Sequence, residues 1–228
     1  MDVEPSIAHL GALIAVPARA NILSALFDGG ALTAGELAYA ARVTPQTTSA
    51  HLAKLVEARL LTVERRGRHR YYRLAGPEVA DALEPLTLIS PHTPVPPRKH
   101  VADVQKLREA RFCYDHLAGR LGVLVTEAML RRRLLISQER DFVLSRKGRD
   151  FCEELGIQSA QLKAQRRAFA RQCLDWSERR PHLAGALGAS LAHAFLGRRW
   201  IAKARTGREV TVTDAGRTAL GERLGLIL

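Results

Sequence analysis

Thr44-Pro-Gln-Thr-Thr-Ser-Ala-His-Leu-Ala-Lys-Leu-Val-Glu-Ala-Arg-Leu60 decides how the first part of this chain is read. Thr44 suits the position just before a helix, where its hydroxyl accepts a backbone N–H. Pro45 suits the first helical turn, where a missing N–H costs nothing. Thr48, Leu52, Leu55, Val56 and Arg59 then fall on one mostly apolar face. Gln46, Thr47, Ala50, Ala53 and Lys54 fall on the other, small or polar groups with little to bury. A small, hydrogen-bonding exposed face at the start of a helix fits the major groove of DNA. The competing reading is an ordinary amphipathic surface helix, and the flanking segments decide between the two.

Upstream, Ser6 to Ala15 has helical spacing through Ile7, Leu10, Leu13 and Ile14, and Pro17 ends that helix or opens the next. Arg19 to Phe27 continues through Ile22, Leu23 and Leu26 and stops at Gly29-Gly30. Thr33 heads a third helix with Glu36 three residues on, a spacing that lets each side chain cap the other's backbone N–H, and Leu37 and Ala40 face inward. A short Arg42-Val43 turn then leads into Thr44, which makes a helix-turn-helix. After Leu60 the period switches to two. Leu61 to Arg65 reads as a strand, Arg66-Gly67-Arg68 as a turn and His69 to Leu74 as the returning strand, with Val63, Tyr71 or Tyr72, and Leu74 as apolar positions. A basic hairpin directly after a recognition helix predicts a winged helix.

Three stretches together resemble the ArsR-type winged-helix transcriptional repressors: Leu32-Thr-Ala-Gly-Glu-Leu37, Thr44 to Leu55, and Arg66-Gly-Arg-His-Arg-Tyr-Tyr-Arg-Leu74. The likeness spans roughly residues 7–90. It implies a homodimer joined through its terminal helices, bound to an imperfect inverted repeat in double-stranded DNA and released by an inducer. A helix over Glu78 to Leu88 stands where that family places its dimerising fifth helix. Metal sensors of the family carry a Cys-x-Cys pair before the turn, or Asp and His pairs on the fifth helix. Here those places read Glu36-Leu-Ala-Tyr-Ala40 and Val79-Ala-Asp-Ala-Leu-Glu84, so the usual metal-sensing sites are absent.

The whole chain sets bounds on this reading. Its 228 residues, 46% hydrophobic, suffice for two domains. No apolar run approaches a membrane span, no basic leader precedes the first helix, and three cysteines (Cys113, Cys152, Cys173) make no even disulfide framework. A cytoplasmic protein with reduced thiols and no membrane partner is expected. A formal charge of +12 points to a polyanion. The basic surplus is only 2 over residues 1–100 and 10 over residues 101–228, so the C-terminal part carries most of the field. Ser90 to Arg98 holds four prolines and reads as a linker. The expected organisation is a winged helix-turn-helix at 1–90, a linker at 91–100 and a further domain at 101–228.

That further domain repeats itself, over about 111–157 and 171–226. His116-Leu-Ala-Gly-Arg-Leu-Gly122 returns as His182-Leu-Ala-Gly-Ala-Leu-Gly188, and Ala128, Leu130, Arg132 and Arg133 return as Ala194, Leu196, Arg198 and Arg199. Phe142-x-Leu-Ser-x-x-Gly-Arg149 answers Val210-x-Val-Thr-x-x-Gly-Arg217. Each copy reads helix, strand, turn, strand, helix, with Ser145 and Thr213 as N-caps, the order of the back half of a winged helix. The fold class is therefore mainly α with small β (α+β), and two winged-helix-like copies related by a pseudo-twofold would make the second lobe.

Small and apolar residues from Val104 through Leu107, Ala110, Tyr114, Leu117, Leu121, Leu124 and Ala128 follow three-four steps, which predicts a packed helix and a candidate dimer seam. Gly119 and Gly122 within it would allow another backbone to approach closely. On such a helix Cys113 and His116 share a face. Cys173 and His182 would complete a Cys₂His₂ set if the repeat brought them together. A Cys113–Cys173 redox switch is the other effector reading, with Arg111 close enough in sequence to stabilise a thiolate. Packing is preferred over both, and no metal or cofactor is assigned. Asp115 and Asp175, each two residues after a cysteine, read as partners of local arginines or backbone.

No Gly-rich phosphate loop, His-Glu-x-x-His or nucleophile elbow is present, so the sequence supports a regulator and no enzyme. Gln46, Thr47 and Ala50 are the expected base readers and Ser49 a base or phosphate contact. Lys54 and His51 are expected at phosphates, His51 alternatively as a brace within the domain, and Arg66, Arg68 and Arg70 at the backbone or minor groove. The C-terminal domain is expected to sense a small-molecule effector, or alternatively to recruit a protein partner.

Overall fold

The computed structural model describes residues 6–27, 29–90, 101–204 and 207–228. The chain parts into two units, Met1–Glu84 and Pro85–Leu228. That division falls inside a helix, ahead of the proline-rich linker expected at 91–100, which lies outside the described residues.

In the first unit, Ser6 caps helix α1 (Ile7–Ile14) and Pro17 opens α2 (Pro17–Ala25). The buried Arg19 side chain donates to the Leu13 and Ala12 carbonyls at 2.5 and 2.7 Å, which satisfies acceptors left over at the end of α1. Strand β1 (Leu32–Thr33) runs into α3 (Ala34–Ala41), where Thr33 and Glu36 cap each other reciprocally. Arg42, in the left-handed region at φ 57°, ends α3 and turns the chain into α4 (Pro45–Glu57). Thr44 accepts from the Thr47 N–H at 3.2 Å. Strands β2 (Leu61–Arg66) and β3 (His69–Leu74) form an antiparallel hairpin in register from Leu61↔Leu74 to Arg66↔His69, and the sheet order is β1-β3-β2. Gly67, at φ +60°, makes the tight turn. Helix α5 (Pro77–Ile89) follows. Ile22, Leu26, Leu37, Leu52, Leu55, Leu61 and Leu74 are essentially solvent-free and close the core between helices and hairpin. Tyr72, not Tyr71, is the buried tyrosine, and Val63 stays exposed.

The second unit opens with α6 (Val101–Glu109). The first repeat is β4 (Arg111–Cys113), β5 (His116–Ala118), α7 (Gly119–Arg131), β6 (Leu135–Gln138), β7 (Asp141–Leu144) and α8 (Arg146–Glu154). After α9 (Ser159–Lys163) the second repeat follows as β8 (Arg171–Leu174), β9 (Pro181–Ala184), α10 (Gly185–Gly197), β10 (Ile201–Lys203), β11 (Val210–Val212) and α11 (Asp214–Leu224). Each copy thus has the expected helix-strand-strand-helix order, preceded by an extra hairpin.

The continuous helix expected from the three-four steps is not formed. Arg111–Ala118 is the β4–β5 hairpin, and the apolar steps come from α6, from that hairpin and from α7. Gly119 marks the turn from the hairpin into α7: its φ is +73°, and a Cβ there would lie 2.7 Å from the Arg108 carbonyl oxygen. The chain turns sharply at this point instead of running on. Gly185 takes the same conformation, φ +79°, before α10.

The two copies exchange their leading hairpins. Strand β8 pairs with β7 of the first copy (Asp141↔Arg171), giving the sheet β6-β7-β8-β9. Reciprocally, Arg111 of β4 bridges Glu209 beside β11, and Phe112 N–H donates to the Arg208 carbonyl at 2.8 Å. The contacts beneath match: Gly122 faces the Cβ of His182, and Gly188 faces the Cβ of His116. Ser145 caps α8 and donates to the Arg133 carbonyl at 2.7 Å, and Thr213 caps α11 and donates to the Arg199 carbonyl at 2.7 Å. One core, including Met129, Leu135, Leu187, Phe195 and Leu220, runs through both copies.

Gly148 and Gly216 occupy equivalent places on α8 and α11, where a Cβ would lie 2.1 Å from the Leu134 oxygen and 1.9 Å from the Trp200 oxygen. Those contacts are with backbone, so relief requires the helix to move. Gly148→Ala and Gly216→Ala are each expected to lower unfolding free energy by about 2 kcal/mol or more in denaturant titrations. Gly197→Ala, with open space around it, should be neutral or slightly stabilising by comparison.

Candidate functional site

The first unit presents a polar helix face beside a basic hairpin. Gln46, Thr47, Ser49, Ala50 and Lys54 are exposed on α4, while Thr48, Leu52 and Leu55 are buried against the core. Ser49 donates to the Pro45 carbonyl at 2.9 Å and Thr47 Oγ1 lies 2.9 Å from Thr44 Oγ1, so these hydroxyls are held in place by the helix start. His51 is half-buried, and its pKa is lowered by that burial and by the nearby charges of Arg19 and Lys54.

On the hairpin, Arg65, Arg66, Arg68 and Arg70 are all exposed. Arg66 and Arg73 both pair with Glu64, at 2.9 and 2.7 Å. Glu64 therefore answers two of the cations. Arg65 stands directly opposite Arg70 across the two strands, a like-charge pair that costs stability in the free protein.

The second unit buries a polar centre between the exchanged hairpins. Arg111 and Asp175, both without side-chain exposure, pair at 2.8 Å. Arg111 also donates to the Leu107 carbonyl at 3.0 Å and the Ser177 hydroxyl at 3.2 Å, and its guanidinium lies 4.5 Å from the centre of the Trp176 ring. Asp175 accepts from the Gly119 N–H at 2.7 Å, the Ser177 N–H at 2.9 Å and hydroxyl at 2.7 Å, and the Glu178 N–H at 3.0 Å. Burial alone would raise its pKa, but the Arg111 charge and these donors hold it far below the usual carboxylate range. Arg111 is thus committed to Asp175 and not to a thiolate. Asp115, its counterpart in the first hairpin, pairs with Arg167 at 2.6 Å and lies 3.3 Å from His116 Nδ1.

Beside these carboxylates the structure collects four residues from distant parts of the sequence. Cys113 and His116 face each other across β4–β5, not along a helix, and Cys173 and His182 face each other across β8–β9. The pseudo-twofold brings the two pairs together. The Cys113 and Cys173 sulfurs are 3.8 Å apart, the His116 and His182 rings stack at 5.1 Å, and one donor atom from each of the four lies within 4.8 Å of all the others. Both histidines are buried, and His116 Nε2 and both ring nitrogens of His182 have no hydrogen-bond partner. The Cys173 thiol is pushed down in pKa, first by the Cys113 thiol and then by the two histidines, against the opposing effect of burial. Burial disfavours charge on His116, but Asp115 and Cys173 outweigh it and lift its pKa to about 9. Cys152 lies outside the cluster in the apolar core, where burial pushes its thiol up to about 12. Packing accounts for Cys152. It does not account for buried histidine nitrogens left unpaired.

Sequence reasoning did not anticipate the place of Arg111 and Trp176 in this centre, because the partners of Arg111 lie 64 and 66 residues away. A separate cleft of about 400 Å³ opens in the same unit, lined by Ala110, Leu121, Leu124, Val210 and Val212 with Arg120 and Arg217 at its edge.

A family model described as a helix-turn-helix domain matches residues 13–64. The uncharacterized HTH-type transcriptional regulator YdfF of Bacillus subtilis strain 168 is 42% identical over 224 residues, which is 98% of this chain and 99% of the relative. Among solved structures, the homodimeric winged helix-turn-helix domain of Mb0332 from Mycobacterium bovis is 30% identical, with 36% of this chain and 76% of that one covered and a TM-score of 0.34. The cadmium sensor CMTR from Mycobacterium tuberculosis is 35% identical, with 40% and 95% covered and a TM-score of 0.33. From the full-length relative and the matched domain, the chain belongs to the HTH-type transcriptional regulators, and its own fold is the winged form of that domain.

Proposed function

We propose that this regulator is a homodimeric repressor that reads an inverted repeat with α4 and its wing, and that an effector acting on the C-terminal unit relieves it. The observation that carries the DNA contact is the pairing of an exposed, small, polar face on α4 with an adjacent hairpin whose Arg65 and Arg70 oppose each other. A phosphate backbone removes that repulsion on binding, so the wing is arranged for a polyanion. Gln46 and Thr47 hydrogen-bond base edges and Ala50 packs on a thymine methyl. Ser49 and Lys54 reach phosphates at the flank, while Arg68 and Arg70 meet the backbone beside the wing. Half-burial between Arg19 and Lys54 makes His51 the brace of α4 in this reading, and the Glu64 pairing leaves Arg66 a weaker contact than Arg68.

One observation supports the dimer. Helix α1 is strongly apolar yet buries only Leu13, with Ile7 89% exposed. Uncovered apolar groups on a terminal helix are what a helical dimer interface would cover. The effector is assigned to the second unit because its interior holds four donor groups that packing alone does not explain.

Gln46→Ala should weaken binding to a selected operator by about 1–3 kcal/mol and flatten sequence preference, measured by competition against random duplex. Equal losses on both DNAs would remove Gln46 from the base-reading set. Arg68→Ala should weaken all duplexes alike and lower the salt dependence of log Kobs by about one unit. An unchanged slope would place Arg68 away from phosphate.

A further inference from the structure

We propose that the C-terminal unit binds one zinc-class divalent cation, four-coordinate, between the sulfurs of Cys113 and Cys173 and the Nε2 atoms of His116 and His182. The donor set is the first argument. Two thiolates and two imidazoles in a tetrahedral arrangement select zinc and its chemical relatives over hard, oxygen-seeking ions. The spacing is the second. Two sulfurs each about 2.3 Å from a tetrahedral ion are about 3.8 Å apart, and Cys113 and Cys173 hold theirs at 3.8 Å. With all four donors within 4.8 Å of one another, the set closes on an ion with small side-chain adjustments.

The histidines carry the argument furthest. A buried ring nitrogen without a partner loses its hydration for nothing, and natural proteins rarely leave one so. Here His116 Nε2 and both nitrogens of His182 are in that state, on rings that are 2% and 0% exposed. An ion supplies the missing partner at both Nε2 atoms. Each ring also turns its Nδ1 towards a carboxylate: Asp115 at 3.3 Å from His116 and Asp175 at 3.6 Å from His182. That is the outer arrangement by which ligating histidines are oriented and made more basic. Binding requires both sulfurs as thiolates and both Nε2 atoms unprotonated, so every proton those four atoms still hold leaves to solvent; two thiolates then balance the dication and the buried metal centre ends neutral. Four protein donors leave no open position for a substrate. The ion clasps the β4–β5 hairpin of one repeat to the β8–β9 hairpin of the other, where it can set the stability of the lobe. The proposal concerns this unit alone; it rests on the same four donors as the effector assignment above and stands or falls separately from the DNA reading.

The test is titration of Co²⁺ into the reduced, chelator-treated full-length chain. One ion per chain should bind, with the visible bands of tetrahedral cobalt and a near-ultraviolet thiolate charge-transfer band, and Zn²⁺ should displace it. Cys173→Ser and His182→Gln should each weaken binding by about a hundredfold, Cys173→Ser also lowering the charge-transfer band by about half, and Asp115→Asn should weaken binding by about tenfold. Cys152→Ser should bind like the parent. An absence of saturable binding by the parent would overturn the site, as would an octahedral spectrum without charge transfer. So would parent-like binding by the double variant Cys113→Ser/Cys173→Ser, or isolation of the parent without air as a metal-free Cys113–Cys173 disulfide. If a ligand variant fails to fold, the parent spectrum and stoichiometry still decide.

Discussion

The ion pair between Arg111 and Asp175 is the constraint around which the second unit is built. Both side chains are fully buried, so each would cost several kcal/mol of desolvation if left alone. Neither is. Asp175 collects backbone N–H donors from Gly119, Ser177 and Glu178 and the Ser177 hydroxyl, and Arg111 bonds the end of α6 and lies against Trp176. These partners come from the start of α7, from α6 and from the β8–β9 loop, so the pair can be satisfied only when both repeats are folded and their hairpins exchanged. The cost of the charges thus becomes a demand for one particular arrangement, and that arrangement places the two Cys/His hairpins face to face.

The first unit depends on a simpler logic. Its helices are bounded by local devices: Thr33 with Glu36, Thr44 with Pro45, and Arg42 in the left-handed region. The core then fixes which face of α4 remains outside, because Thr48, Leu52 and Leu55 cannot leave it. What remains outside is the polar face with Gln46 at its start. The wing is held by register from Leu61↔Leu74 outward, and that register forces Arg65 against Arg70. Stability is given up at the wing, in the place where a negatively charged partner would return it.

The legibility of these features in the sequence follows from distance along the chain. The winged helix could be read residue by residue because caps, a proline at the first turn and a switch of period from near 3.6 to 2 are all local signals. The repeat was legible too, since Ser145 and Thr213 and the glycines after them recur at matched offsets and fill matched roles. The Arg111–Ala118 segment misled. Apolar residues on α6, on the hairpin and on α7 happen to continue one three-four pattern, and the positive φ of Gly119, at the turn into α7, leaves no mark in periodicity. The Cys₂His₂ set could be named but not assembled, since only the pseudo-twofold joins residues 113–116 to 173–182. The pairing of Arg111 with a carboxylate 64 residues away had no sequence signal at all.

The central claim is that two copies of this chain read symmetric DNA through α4 and the wing. Selection of bound sequences from a random duplex pool by the full-length protein tests it most directly. The account predicts an enriched inverted repeat whose half-site centres lie about one helical turn, or a whole multiple of it, apart. Failure to enrich any sequence, or enrichment of a single element without a symmetry mate, would contradict it.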